Sequence, residues 1–147
     1  MPDPGDPPPD SLQAARERLF EEGLRHRRAT LGAAWVERSL ARRNAFNADF
    51  QGLITRIAWG EIWSRPGLEH KTRRLLVVGM TMAQGRWEEF RLHVRAGLAE
   101  GGFTMDELKE VLLQGAIYCG VPAGNTAMNE AEAILRELGM LETGPAA

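Results

Sequence analysis

His93 is the side chain of this sequence best suited to moving a proton. It lies in the segment 85–94 (GRWEEFRLHV), among apolar residues and arginines at helical spacing. An imidazole has an ordinary pKa of about 6.5, so it can donate or accept a proton near neutral pH. The pattern also fits a partly buried histidine that bonds to a backbone carbonyl, and spacing alone favours that structural interpretation. His26 and His70 have no comparable context and are predicted to be surface residues.

Glu61 is a second candidate for proton transfer. It precedes Arg65 by one helical turn, and Trp59 and Trp63 lie on the adjoining turns. If the tryptophans keep this region partly dry, Glu61 could retain a proton or position His93. An exposed Glu–Arg pair at this spacing, worth only ~0.3–0.5 kcal/mol, fits equally well, so both interpretations stay open.

Lys71, Arg73 and Arg74 fall at the start of a predicted helix, where cations oppose the helix dipole by ~0.3–1 kcal/mol each. A bound anion, held by arginine and the helix end together, would resolve this conflict. Lys71 and Arg73 could instead point to solvent or to carboxylates of a neighbouring subunit. Arg74 is therefore the predicted anion-binding residue, and a guanidinium can fork onto a carboxylate as an ammonium cannot.

Helical periodicity places these residues on an all-α fold, a compact bundle of about seven helices. Residues 1–10 contain five prolines and are predicted to form a disordered tail. Residues 11–147 are predicted to form a single helical domain. The predicted helices begin near Ser11, Gly32, Phe46, Glu69, Trp87, Thr104 and Pro122.

Two of these helices carry specific expectations. Phe46, Phe50 and Ile57 define an apolar stripe on the third helix. The fourth is apolar nearly all round and is predicted to be the central, buried helix. Thr104 with Glu107 three residues later predicts a capping box at the start of the sixth.

Composition excludes several classes of function. The net charge is −2, and three aspartates of the tail account for it, so a general nucleic-acid surface is not expected. No apolar run approaches the roughly 20 residues that span a bilayer, and no secretory signal precedes the first helix. Cys119 is the only cysteine, so a cytoplasmic location is predicted. No phosphate loop, metal-ligand cluster or nucleophile–base pair is recognisable.

From about Arg28 to Gly139 the sequence resembles the carboxymuconolactone decarboxylase family. The matching blocks are residues 46–51 (FNADFQ), 59–68 (WGEIWSRPGL), 72–76 (TRRLL), the His93 segment and the turn 118–122 (YCGVP). The resemblance implies a helical fold shared with alkyl hydroperoxidase D-like proteins and a trimeric or hexameric homo-oligomer. It also implies cofactor-free decarboxylation of 4-carboxymuconolactone to the 3-oxoadipate enol-lactone, in the protocatechuate branch of the β-ketoadipate pathway.

Peroxidase-type members of the same superfamily carry a Cys-x-x-Cys-x-x-x-His helix. Arg86 and Glu89 occupy the two cysteine positions when that pattern is placed on His93. Without the sulfur pair, disulfide chemistry cannot proceed. The redox function is therefore not expected here.

The resemblance assigns roles to named residues. His93 becomes the candidate acid, or the donor to the enolate oxygen, with Glu61 as the other catalytic candidate. Arg74 or Arg65 is expected to grip the retained acetate arm of the lactone, because holding the departing carboxylate would stabilise the ground state more than the transition state. The remaining predicted substrate-binding residues are Trp59, Arg86 and Tyr118.

Two alternatives stay open. The chain could decarboxylate or isomerise a related lactone or β-keto acid, or it could be a non-catalytic helical oligomer of the same fold.

Overall fold

The computed structural model describes Gly5, residues 8–142 and Gly144, and all regular structure in these residues is helical. They form two units, one up to Gly67 and one from Leu68. Most of the predicted tail lies outside the described residues, and the single-domain assignment remains a prediction. The described helices are α1 (Leu12–Leu31), α2 (Ala33–Ala41), α3 (Ala48–Ile54), a π-helix (Thr55–Ile62), α4 (His70–Ala83), α5 (Trp87–Ala99), α6 (Met105–Tyr118) and α7 (Val121–Glu137).

The all-α class and the seven predicted helices are confirmed for this part of the chain, with one departure. The third helix changes from α to π geometry at Thr55, where an unbroken α-helix was expected. The Trp63 N–H donates to the Ala58 carbonyl at 3.0 Å, five residues back. The Thr55 hydroxyl donates to the Gln51 carbonyl at 2.7 Å, within the turn where the widening begins.

In the first unit, α1 packs against the π-helix at two glycines. A Cβ atom on Gly23 would lie 2.0 Å from the Thr55 carbonyl oxygen, and one on Gly60 would lie 2.6 Å from that of Leu19. Both distances are far inside van der Waals contact, so the backbones approach closely only because these side chains are absent.

In the second unit, α4 to α7 surround an apolar core. The predicted capping box is confirmed: the Thr104 side chain accepts from the Glu107 N–H at 3.1 Å, and the Glu107 carboxylate accepts from the Thr104 N–H at 2.9 Å. The core consists of Val78, Met82, Phe90, Val94, Leu98, Phe103, Leu108, Leu112, Ala127, Ala131, Ile134 and Leu135.

Two expectations about burial are wrong in part. The fourth helix contacts α5, α6 and α7, but its Leu76 and Met80 side chains remain 43% and 54% exposed, because they line an open groove. Of the apolar stripe predicted for the third helix, Phe46 lies in the turn before α3 and is 97% exposed, and Phe50 on α3 is 61% exposed. None of the described helices is long and apolar enough to cross a membrane.

Candidate functional site

His93 and Arg74 lie close enough in the second unit for the charge of one to act on the other. Arg74 stands one turn before Val78 and two before Met82, both of which are fully buried, so an arginine occupies the core-facing stripe of α4. His93 stands on α5 between the buried residues Phe90 and Gly97. The first turn of α5 contains Glu88 and Glu89, whose negative charges suit the positive end of the helix dipole.

The surroundings of His93 keep its imidazole neutral. The pKa of His93 is lowered to about 4, chiefly by burial and also by the positive charge of Arg74, while the charge of Glu89 opposes both. An imidazolium would have to lose water and face a guanidinium at the same time. Near neutral pH the ring is therefore an N–H donor and a proton acceptor.

Arg74 is buried, with 4% of its surface exposed. Burial lowers the pKa of its guanidinium, and the charge of Glu100 partly offsets that effect. The group remains a cation in the physiological range, because an arginine has an ordinary pKa above 12. The second unit thus holds a positive charge beside a neutral imidazole, an arrangement that can attract an anion and exchange a proton with it.

The neighbours of Arg74 at the start of α4 are placed differently. Lys71 is exposed and its ammonium lies 2.8 Å from the Glu107 carboxylate, while Arg73 is half-buried. Of the three cations at this helix end, the one chosen from the sequence as the anion-binding residue is also the one that is buried.

The first unit holds Glu61, Trp59 and Arg65. The two tryptophans of this region, Trp59 and Trp63, are buried and stacked, with ring centroids 5.0 Å apart and planes 19° apart. Glu61 itself is exposed, so the expectation of a dry setting for its carboxylate is wrong. The two rings turn away from the solvent-facing side of the π-helix on which Glu61 stands. Arg65 is exposed as well.

Tyr118 and Arg86 lie on exposed parts of the second unit. Tyr118 is 82% exposed, which rules out a core position, and it lines an apolar groove of about 800 Å³ between α4 and α6. Glu107 and Glu110 also line this groove, whereas Arg74 and His93 do not. Apolar walls with carboxylates suit a doubly negative ligand poorly. Arg86 precedes α5, and its carbonyl accepts from the Phe90 N–H at 2.9 Å.

Two residues of physical importance were not singled out from the sequence. The first is Arg27 on α1, which is only 3% exposed. It lies one helical turn from each of the buried residues Gly23 and Leu31, and this spacing could have revealed its burial. The second residue is Gly102, in the loop between α5 and α6. Its contact with Arg74 depends on tertiary structure, and no local pattern indicates it.

Metal-ligand chemistry has no evident candidate in the described part of the chain. Nowhere in it do three or more histidine, cysteine, aspartate or glutamate side chains come together as a metal ion would need. The single thiol, Cys119, is exposed at the end of α6.

The second unit thus combines a buried cation with a neutral imidazole, an arrangement suited to attracting a small anion. The family model described as "Carboxymuconolactone decarboxylase family" matches residues 48–133. The chain belongs to the carboxymuconolactone decarboxylase family. The matched region includes both the buried Arg74 and the half-buried His93.

Two curated relatives match over most of the chain, and another matches a short part of it. It is 47% identical to a 4-carboxymuconolactone decarboxylase of Acinetobacter baylyi, over 84% of this chain and 92% of the relative. It is 43% identical to a nitrosuccinic acid decarboxylase of Metarhizium robertsii, over 76% of this chain and 77% of the relative. A 4-carboxymuconolactone decarboxylase of Pseudomonas putida is 48% identical over 29% of this chain and 88% of its own length.

Proposed function

We propose that this protein is a carboxy-lyase that converts 4-carboxymuconolactone to the 3-oxoadipate enol-lactone. The observation that carries the proposal is the 47% identity to a decarboxylase of that name over 84% of the chain. The pair of Arg74 and His93 supplies the two things that the reaction needs from a protein, a cation for the carboxylates and a proton carrier.

The substrate accepts the electrons of the reaction itself. When the C–C bond to the departing carboxylate breaks, its electron pair moves through the ring double bond to the lactone carbonyl. A proton then adds to a ring carbon, and carbon dioxide leaves. We therefore propose that no cofactor takes part. The protein holds a dianion, stabilises the developing enolate oxygen and delivers one proton.

His93 is the proposed proton carrier. Its imidazole is neutral in the free protein, because burial and Arg74 hold its pKa at about 4. A bound dianion would oppose both effects, since a nearby negative charge favours the protonated ring. Substrate binding would therefore raise the pKa of His93 and let the ring take up a proton. Glu61 remains the second catalytic candidate, from an exposed position on the π-helix.

Arg74 is the proposed partner of the retained acetate arm. A guanidinium that held the departing carboxylate would lose its partner as the bond breaks, and this would slow the reaction. The retained arm keeps its charge throughout, so gripping it orients the lactone without opposing decarboxylation. Arg65, Arg86, Trp59 and Tyr118 remain predicted substrate contacts.

A second candidate substrate class has its own support. The Metarhizium robertsii relative is named for decarboxylation of a nitro acid, and this chain is 43% identical to it. A nitro group, like a lactone carbonyl, can accept the electron pair of the broken bond. The alternative function is therefore decarboxylation of another acid with a built-in electron acceptor.

The test is a direct assay of the purified protein. Lactone consumption and carbon dioxide release are followed with 4-carboxymuconolactone, nitrosuccinate and simple β-keto acids. We expect turnover of the lactone, and His93→Gln should lower kcat by about 10²- to 10⁴-fold, the usual contribution of general acid–base catalysis. His26→Gln, the same change at a histidine that contacts Glu22 in the first unit, is the matched control. Preferred turnover of nitrosuccinate would support the second candidate, and no turnover of any acid would refute both.

The proposed assembly is a homo-oligomer, trimeric or hexameric, located in the cytoplasm. Light scattering of the full chain tests the subunit number, and a stable monomer would contradict it.

A further inference from the structure

We propose that Gly102 is a positioning residue, whose missing side chain leaves the space in which the Arg74 side chain lies against the loop between α5 and α6. The inference rests on the proposed function for its catalytic meaning. The contact itself can be measured without any substrate.

The contact between Gly102 and Arg74 is unusually close. A Cβ atom on Gly102 would lie 2.4 Å from Arg74 Nε, 2.5 Å from its Cδ and 2.7 Å from its Cζ. Three atoms of one side chain therefore occupy the place that a methyl group would take. Since Arg74 is 4% exposed, its guanidinium has little free space to enter elsewhere without disturbing the core.

Hydrogen bonds hold the backbone of Gly102 in place. Its N–H donates to the Gly97 carbonyl at 2.7 Å, and the Phe103 N–H reaches the same oxygen at 3.3 Å. The Phe103 ring packs directly on Gly97, where a Cβ would lie 2.1 Å from a ring carbon. Thr104 then begins α6 with its capping box. A side chain added at Gly102 would consequently displace Arg74 and leave the loop in place.

The segment 97–102 connects the surroundings of Arg74 to those of His93. Gly97, whose carbonyl holds the Gly102 N–H, stands one helical turn after His93 on α5. Glu89 on α5 acts on the His93 ring, and Glu100, at the end of the same helix, acts on Arg74. The position of Arg74 against Gly102 therefore sets how strongly its positive charge acts on the imidazole.

The experiment is an NMR titration of the histidine rings in the full chain, with the His93 signal assigned by its loss in His93→Gln. In Gly102→Ala we expect the His93 pKa to rise from its parent value, because Arg74 moves off its place beside the ring. Arg74→Gln gives the largest shift that loss of this charge can produce. An unchanged His93 pKa in a folded Gly102→Ala protein would overturn the proposal.

Gly101→Ala is the matched control. It adds the same methyl group one residue earlier, where nothing lies within 4 Å. Gly101 has φ +68°, so the substitution strains the backbone but should leave the His93 pKa unchanged. An equal shift in both variants would mean that general loosening of the loop, and not Arg74, moves the pKa.

A double-mutant cycle keeps the proposal testable if Gly102→Ala folds poorly. In the Arg74→Ala background the added methyl has no guanidinium to displace, so Gly102→Ala should lower the Tm far less than in the parent. Equal losses in both backgrounds would show that the two residues are not coupled.

The catalytic consequence has a separate readout. If the lactone is the substrate, Gly102→Ala should lower kcat/KM on the order of 100-fold, the usual cost of misplacing a binding group by about 1 Å. A parent protein that does not turn over the lactone would refute the proposed function, while the titration would still decide the role of Gly102.

Discussion

Each unit of this protein buries one arginine, and the groups on which the two arginines act differ. Arg27 in the first unit is 3% exposed and Arg74 in the second is 4% exposed. Among the residues that the structure describes, these two arginines are the charged residues that are buried. Burial lowers the pKa of both guanidinium groups.

Arg27 is surrounded by neutral groups of its own unit. Its terminal nitrogens donate to Gln51 Oε1 and Thr55 Oγ1 at 3.4 Å and to Ser39 Oγ at 3.2 Å. The guanidinium carbon lies 5.5 Å from the ring centroid of Trp35. Within the described residues, none of its partners is a carboxylate. Arg27 therefore joins α1 to α2, α3 and the π-helix by hydrogen bonds and ring contact.

Arg74 acts instead through its charge, which lowers the pKa of His93. The comparison teaches that burial alone does not mark a functional arginine. A buried guanidinium whose bonds go to fixed neutral oxygens links helices. One whose charge acts on a neighbouring imidazole can change the protonation of that ring when an anion arrives.

The largest expected effect separates the two arginines by activity. Arg74→Gln should lower kcat/KM by about 10²- to 10³-fold, the loss usually found when one charge-stabilising donor is removed. Arg27→Gln, the same change at the other buried arginine, should leave kcat/KM close to that of the parent. Steady-state kinetics with the acid that the parent protein decarboxylates give kcat/KM for both variants. Comparable losses of kcat/KM in the two variants would show that the two buried arginines do not differ in their role in activity.

The next effect tests the close packing that supports the Arg27 site. Gly23→Ala would place a methyl 2.0 Å from the carbonyl oxygen of Thr55, and this atom cannot rotate away. We expect a loss of about 3 kcal/mol in the free energy of unfolding, the upper range for overpacked cores. Thr55 would shift, and its bond to Arg27 with it. Chemical denaturation gives the value.

Gly79→Ala in α4 is the matched control for this substitution. There the nearest atom to the new methyl, Val111 Cγ1, lies at 3.9 Å, an ordinary contact. This variant should gain roughly 0.5–1 kcal/mol from helix propensity. If Gly23→Ala were as well tolerated, the approach of α1 to the π-helix would not need a glycine.

Much of this architecture follows from local sequence. The capping box of Thr104 with Glu107 fixes the start of α6 as the sequence predicts, and α1 and α7 begin within one residue of the predicted starts at Ser11 and Pro122. Arg74, chosen over Lys71 as the anion-binding residue, is the buried cation of this helix end, and its role in binding an anion stays a prediction.

Other features depend on contacts between distant parts of the chain. The change to π geometry leaves no clear mark in the sequence, because a few residues fit a slightly wider turn almost as well as an α-turn. One of the two open interpretations placed Glu61 in dry surroundings because tryptophans flank it, yet the two rings are buried and the glutamate is exposed. Sequence spacing predicts the side of a helix on which a residue lies only when the type of helix, α or π, is known.

A third effect, of intermediate size, comes from the titration of His93. Its pKa is about 4 in the folded protein and about 6.5 when unfolded, so the unfolded chain takes up the proton first as the pH falls. The contribution to stability is complete above pH ~6.5 and is lost between pH ~6.5 and ~4. After allowance for partial exposure of the ring, we expect about 2 kcal/mol.

Denaturation curves across this pH range, for the parent and His93→Gln, measure the effect. The variant should lose this part of the pH dependence, while Arg27→Gln should keep it, because an arginine does not titrate in this window. A parent protein of constant stability from pH 6.5 to 4 would contradict a buried neutral imidazole beside Arg74.

The smallest effect distinguishes the contribution of the planar guanidinium group of Arg27 to stability from that of its positive charge. Arg27→Met removes a buried cation, which saves desolvation, and leaves three polar side chains to find other partners, so the net loss should be only about 1 kcal/mol. Arg27→Lys keeps the charge but loses the planar group that reaches Ser39, Gln51 and Thr55 together, so its loss should be larger. Chemical denaturation of the two variants at one pH decides the order. If lysine were tolerated better than methionine, the first unit would need the positive charge itself, and Arg27 would belong with Arg74 as a residue that attracts an anion.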